Sequence, residues 1–128
     1  MNNSLLDFLF SAGLLPGRGP SSDALLSPEE FVKGYEGDPT ACLIDVRTPG
    51  EYASGHIKGA KLINLYDGKA FADGIAMLDK TRVCYLYCHS GNRSARAAAS
   101  LRAAGFEVKE LRGGMIAWSM AGMPTVKK

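Results

Sequence analysis

Tyr87-Cys88-His89-Ser90-Gly91-Asn92-Arg93-Ser94-Ala95-Arg96-Ala97-Ala98-Ala99 joins three kinds of sequence without a break. Behind Cys88 lies Val83-Cys84-Tyr85-Leu86-Tyr87, an apolar and aromatic run of the kind found in buried strands. After it come a short polar loop with Gly91 and then an Ala-rich pattern, which predicts a helix over 93–104. A strand that empties into a loop and then a helix is the repeating unit of a parallel α/β sheet.

The same alternation continues on either side of this stretch. Cys42-Leu43-Ile44-Asp45-Val46 and Lys61-Leu62-Ile63-Asn64 read as strands, with Val108-Lys109-Glu110-Leu111 as a weaker one. Helical patterns fall at 49–54, 70–79 and 114–121. Ser27-Pro28-Glu29-Glu30 reads as a helix start, with Ser as N-cap, Pro at the first position and Glu reaching back; that helix should end near Gly34 or Gly37. The fold class is therefore α/β, a mostly parallel central sheet with helices on both faces. Upstream, Pro16-Gly17-Arg18-Gly19-Pro20-Ser21-Ser22 is a breaker-rich linker. Before it, residues 4–15 read as a short amphipathic helix with Leu5, Phe8, Leu9 and Ala12 on one face, packing on the domain or on a second copy. The organisation expected is an N-terminal extension, 1–25, and one domain, 26–128.

The whole chain has 128 residues, enough for one core without disulfide or metal staples. With 15 basic and 13 acidic residues the net charge is +2, which argues against a dedicated nucleic-acid binder. No apolar run approaches the roughly 20 residues a bilayer requires, so no membrane association is expected. Asp7 and the lack of Lys or Arg ahead of the first apolar stretch argue against a secretory signal, and the cytoplasm is the expected location. Three cysteines, an odd count, fit a reducing compartment better than a disulfide framework.

Cys88 stands where its strand ends, and in parallel α/β folds ligand sites lie at the carboxyl ends of strands. The loop amides of residues 89–94 can curl around its sulfur, and the following helix points its positive end there. Both effects favour a sulfur anion, the nucleophilic form of cysteine. Arg93 and His89 add positive charge, and Gly91 frees the backbone for the curl. Cys42 and Cys84 lie mid-strand among apolar neighbours and read as inert core residues. Four strand residues separate the Cys84 and Cys88 Cα atoms by ~13 Å, which argues against a disulfide between them. The same separation argues against a zinc shared by Cys84, Cys88 and His89, so no metal is expected.

Leu43-Ile44-Asp45-Val46-Arg47, Glu51-Tyr52 and Gly55-His56-Ile57-Lys58-Gly59-Ala60 resemble the entry motif of single-domain rhodaneses. The loop Cys88–Ser94 is similar to their active-site signature, and Leu111-Arg112-Gly113-Gly114-Met115-Ile116-Ala117-Trp118 resembles their closing motif. The match runs over about 26–124 in the family's order. The resemblance implies a rhodanese-like fold and a sulfurtransferase. Its thiolate would take a sulfane sulfur from a donor such as thiosulfate, hold it as a persulfide and pass it to a thiophilic acceptor. No cofactor is implied, because the persulfide is the carrier. The implied partners are small sulfur donors and acceptors, or a protein persulfide or thiol. Carried over by residue, Cys88 is the nucleophile. His89, Ser90, Gly91, Asn92, Arg93 and Ser94 form the substrate cradle, with His89 and Arg93 facing the donor anion. Asp45, Arg47 and Glu51 help to hold the region together, His56 is a satisfied loop histidine, and Trp118 belongs to the core. Two other functions compete. A phosphatase or arsenate reductase would need five residues between Cys and Arg, and here there are four. A non-catalytic binding module on the same fold tends to lose the loop cysteine, which this chain keeps.

Overall fold

A computed structural model describes residues 24–127. Strands and helices alternate along them: β1 Leu25–Leu26, α1 Pro28–Glu36, β2 Cys42–Asp45, α2 Pro49–Ser54, β3 Lys61–Leu62, α3 Gly68–Ala76, β4 Cys84–Tyr87, α4 Asn92–Ala103, β5 Val108–Leu111 and α5 Gly114–Met120. The strands make one sheet in the order β1-β5-β4-β2-β3, and every pairing is parallel. The central strand, β4, is buried along its whole length, as its near-continuous apolar sequence requires.

Side-chain alternation along β4 divides the core in two. Cys84, Leu86 and the following Cys88 pack with Ile44, Val46, Ala97, Ala98, Leu101 and Phe106, under α4 and the Phe71 and Ile75 side chains of α3. Tyr85 and Tyr87 point the other way, among Phe31 of α1, Ile57, and Met115 and Trp118 of α5. Helices therefore cover both faces, as the sequence predicts. Trp118 is fully enclosed, and its indole N–H donates to the Pro124 carbonyl at 2.9 Å. Burying such a side chain stabilises by about 2–3 kcal/mol, enough to hold a helix as short as α5 in place.

Helix starts follow side-chain chemistry. Ser27 caps α1 in a reciprocal box with Glu30, Pro28 opens the helix, and Gly37 closes it. Thr48 and Glu51 form the same box at α2. The helix expected over 70–79 begins earlier and ends at Ala76, because the Asp67 side chain accepts from the Ala70 amide and caps it. Strand β1 was not expected; two residues are too short to show alternation, and pairing with β5 supplies its order. The amphipathic helix expected at 4–15 and the linker at 16–22 lie outside the described residues. Among the described residues, no helix is long and apolar enough to cross a membrane.

Candidate functional site

The site is assembled where β4 stops. Cys88 follows the strand directly, His89 and Ser90 turn outward and are exposed, and Gly91 takes φ 110° as the N-cap of α4. That left-handed conformation is open to glycine and strained for residues with a Cβ. It folds the loop back over the cysteine, so that the Gly91 amide donates to Cys88 Sγ at 3.0 Å. On the other side the thiol meets the Ser94 hydroxyl oxygen at 3.5 Å, and that hydroxyl donates to the Gly91 carbonyl at 3.2 Å. Cys88 and Ser94 are both fully buried. The first turn of α4 has no side-chain cap, which leaves its positive end directed at the loop.

Helix α5 fixes the loop from behind. The Met115 amide donates to the Cys88 carbonyl at 2.9 Å and the Ile116 amide to the His89 carbonyl at 3.0 Å. In a trans peptide the N–H points opposite to its C=O, so the His89 and Ser90 amides are turned away from α5. This approach requires glycine at 114. A Cβ there would stand 2.5 Å from both carbonyl oxygens, and φ is 57°. Two consecutive glycines at the start of a helix are the sequence signal of this contact, although sequence alone does not identify what comes close.

The second half of the site comes from α2. Glu51 receives both arms of Arg93, at 2.6 and 2.8 Å, while its Oε1 also closes the Thr48 capping box. Arg93 lies over the Tyr66 ring at 5.4 Å. The Arg93 fork holds the Glu51 carboxyl down at about 2, with the Thr48 bonds assisting and partial burial opposing. Glu51 in turn raises Arg93, burial works against it, and the Cys88 sulfur adds a smaller contribution of the same sign as Glu51. The hydrogen-bonding fork of Arg93 ends on Glu51. Residues 51 and 93 are too far apart in the chain for their spacing to have revealed the pair.

Asp45, Arg47, His56 and Cys84 are also buried. Asp45 and Arg47 form a buried ion pair at 2.7 Å, with Arg47 also donating to the Gly55 carbonyl at 2.7 Å. The Tyr87 hydroxyl accepts from the Ile57 amide at 3.1 Å. His56 is buried, stacked on Tyr52 at 3.6 Å, with Nδ1 2.8 Å from the Tyr52 carbonyl and its backbone paired to Val126. Cys84 lies opposite Cys42 in the β4–β2 register, and burial pushes its thiol up to about 12. That makes it a poor nucleophile. Among the described residues, no group of three or more His, Cys, Asp or Glu is placed to hold a metal ion.

Residues 27–121 match the sequence model of the Rhodanese-like domain. The probable adenylyltransferase/sulfurtransferase MoeZ of Mycobacterium tuberculosis is 37% identical over 102 residues, 77% of this chain and 25% of MoeZ. This chain therefore spans a quarter of that relative's length. The thiosulfate sulfurtransferase GlpE of Stutzerimonas stutzeri is 37% identical over 79 residues, 61% of this chain and 70% of GlpE. Among solved structures, a rhodanese-related protein from Thermoplasma volcanium superposes with a TM-score of 0.70 at 25% identity, covering 81% of this chain and 98% of that one.

Proposed function

Because the chain belongs to the rhodanese-like domain family, we propose that it is a sulfurtransferase working through a Cys88 persulfide. The observation that carries this reading is the Gly91 amide 3.0 Å from Cys88 Sγ, inside a loop that opens onto the uncapped start of α4. An amide donor and a helix N-terminus are what a sulfur anion needs.

The reaction requires no outside oxidant. The Cys88 thiolate attacks the outer sulfur of thiosulfate; the new S–S bond forms as the old one breaks, and sulfite leaves with the electron pair. The persulfide anion that results is then attacked at its outer sulfur by an acceptor thiolate, which departs as its own persulfide and regenerates Cys88. His89, Ser90, Gly91, Asn92, Arg93 and Ser94 form the cradle around these steps, with Gly91 and Ser94 in contact with the sulfur itself. Small molecules and protein thiols or persulfides are both admissible as donor and acceptor.

The test is sulfite and sulfide release from thiosulfate and a thiol, run beside arsenate and phosphate binding by calorimetry. Catalytic release of both products supports the proposal. Absence of turnover with every sulfane donor would favour a binding module, and tight phosphate binding would favour the phosphatase reading.

A further inference from the structure

The anion-holding capacity of the loop depends on how much charge Arg93 brings to it, and the structure gives that charge a partner. Both guanidinium arms end on Glu51, at 2.6 and 2.8 Å, and the pair is part-buried, Arg93 more so than Glu51. What stays turned toward the sulfur is the amide end of α4, equivalent to roughly half an elementary charge. Half a charge matches a singly charged or uncharged group better than a dianion.

We propose that Glu51 is a positioning residue that sets donor specificity: by holding Arg93 and cancelling its charge, it directs the site to sulfane donors of low charge, such as thiosulfonates and organic persulfides, over dianionic thiosulfate. The proposal rests on the sulfurtransferase reading. With a thiosulfonate, the Cys88 thiolate takes the outer sulfur and a sulfinate leaves with the electron pair, so the chemistry differs from the thiosulfate step only in the charge of the leaving group.

The test compares methanethiosulfonate and thiosulfate, the first singly and the second doubly negative. The readout is kcat/KM for Cys88 persulfide formation, each normalised to the donor's reaction with a small free thiol. Glu51→Gln retains a capping-box side chain at its position while removing the charge. It should shift the donor ratio about three- to tenfold toward thiosulfate, the size expected of one partly screened charge. Arg93→Gln should shift the ratio the opposite way, and the double variant should return to within about twofold of wild type. A purely structural role would slow both donors alike and leave the ratio unchanged, which overturns the proposal. The double variant carries the same charge as wild type, so a displaced ratio there overturns it too. Persulfide formed with no change of ratio defeats the inference alone; no persulfide with either donor defeats the sulfurtransferase reading and the inference with it.

Discussion

Cys88 is separated from the other two cysteines by where its sulfur sits. Its Sγ has an amide donor at 3.0 Å, whereas Cys84 lies in apolar packing with its thiol pushed up to about 12. Cys88→Ser should therefore abolish sulfur transfer, and Cys42→Ser and Cys84→Ser should leave it within about twofold of wild type, once folding of each is verified by circular dichroism. Equal loss in all three would move the chemistry elsewhere. Gly114 invites a second substitution. An alanine Cβ would meet two carbonyl oxygens at 2.5 Å in a left-handed conformation. We expect Gly114→Ala to cost about 2–5 kcal/mol in denaturant melts and to slow sulfur transfer further in the molecules that remain folded. Gly50, whose added Cβ would touch nothing within 4 Å, is the control, and Gly50→Ala should be neutral or slightly stabilising.

At the scale of elements, loop length connects strand to function. Between β4 and α4 the chain has only Cys88, His89, Ser90 and Gly91, and the curl that brings the Gly91 amide to the sulfur leaves no slack. One glycine inserted between Ser90 and Gly91 should lengthen that contact, lower thiosulfate turnover about tenfold or more, and admit arsenate or phosphate more readily. Turnover assays and calorimetry on both proteins check it; unchanged sulfur transfer would mean that the amide contact is dispensable. Most elements were legible because their causes are local. The Ser27 box, the apolar run before Cys88 and the Ala-rich run after it need only neighbours in sequence. What stayed hidden depends on partners far along the chain. The two residues of β1 gain order only from β5, the Arg93 fork finds Glu51 on α2, and Gly114 matters because the Cys88 and His89 carbonyls lie against it. Thus the position of Cys88 between strand and helix could be read from sequence, while the contacts around it could not.

For the whole molecule, these interactions set a pH window for stability. Glu51 ionises at about 2 in the fold against 4.5 when free, so the unfolded chain binds its proton first. The stabilisation is complete above 4.5 and is lost as the pH falls toward 2. Cys84 shows the opposite sign. Burial raises it to about 12 from 9.0, so the unfolded thiol ionises first and stability declines as the pH rises from 9 toward 12. Tyr87, raised mainly by burial, steepens that alkaline limb. Urea melts across pH should show a plateau between the two limbs. Glu51→Gln should flatten the acid limb, and Cys84→Ala should weaken the alkaline one; an unaltered acid limb in Glu51→Gln would deny the ion pair a role in stability. At the carboxyl end of the central strand, one backbone amide, that of Gly91, donates to the Cys88 sulfur. The most direct measurement of that sulfur's role is the intact mass of the protein after brief exposure to thiosulfate or methanethiosulfonate, followed by alkylation and peptide mapping. The mass should rise by a single sulfur atom, located on Cys88 and removed by a thiol. An unchanged mass with both donors, or a sulfur found on Cys42 or Cys84, would contradict that role.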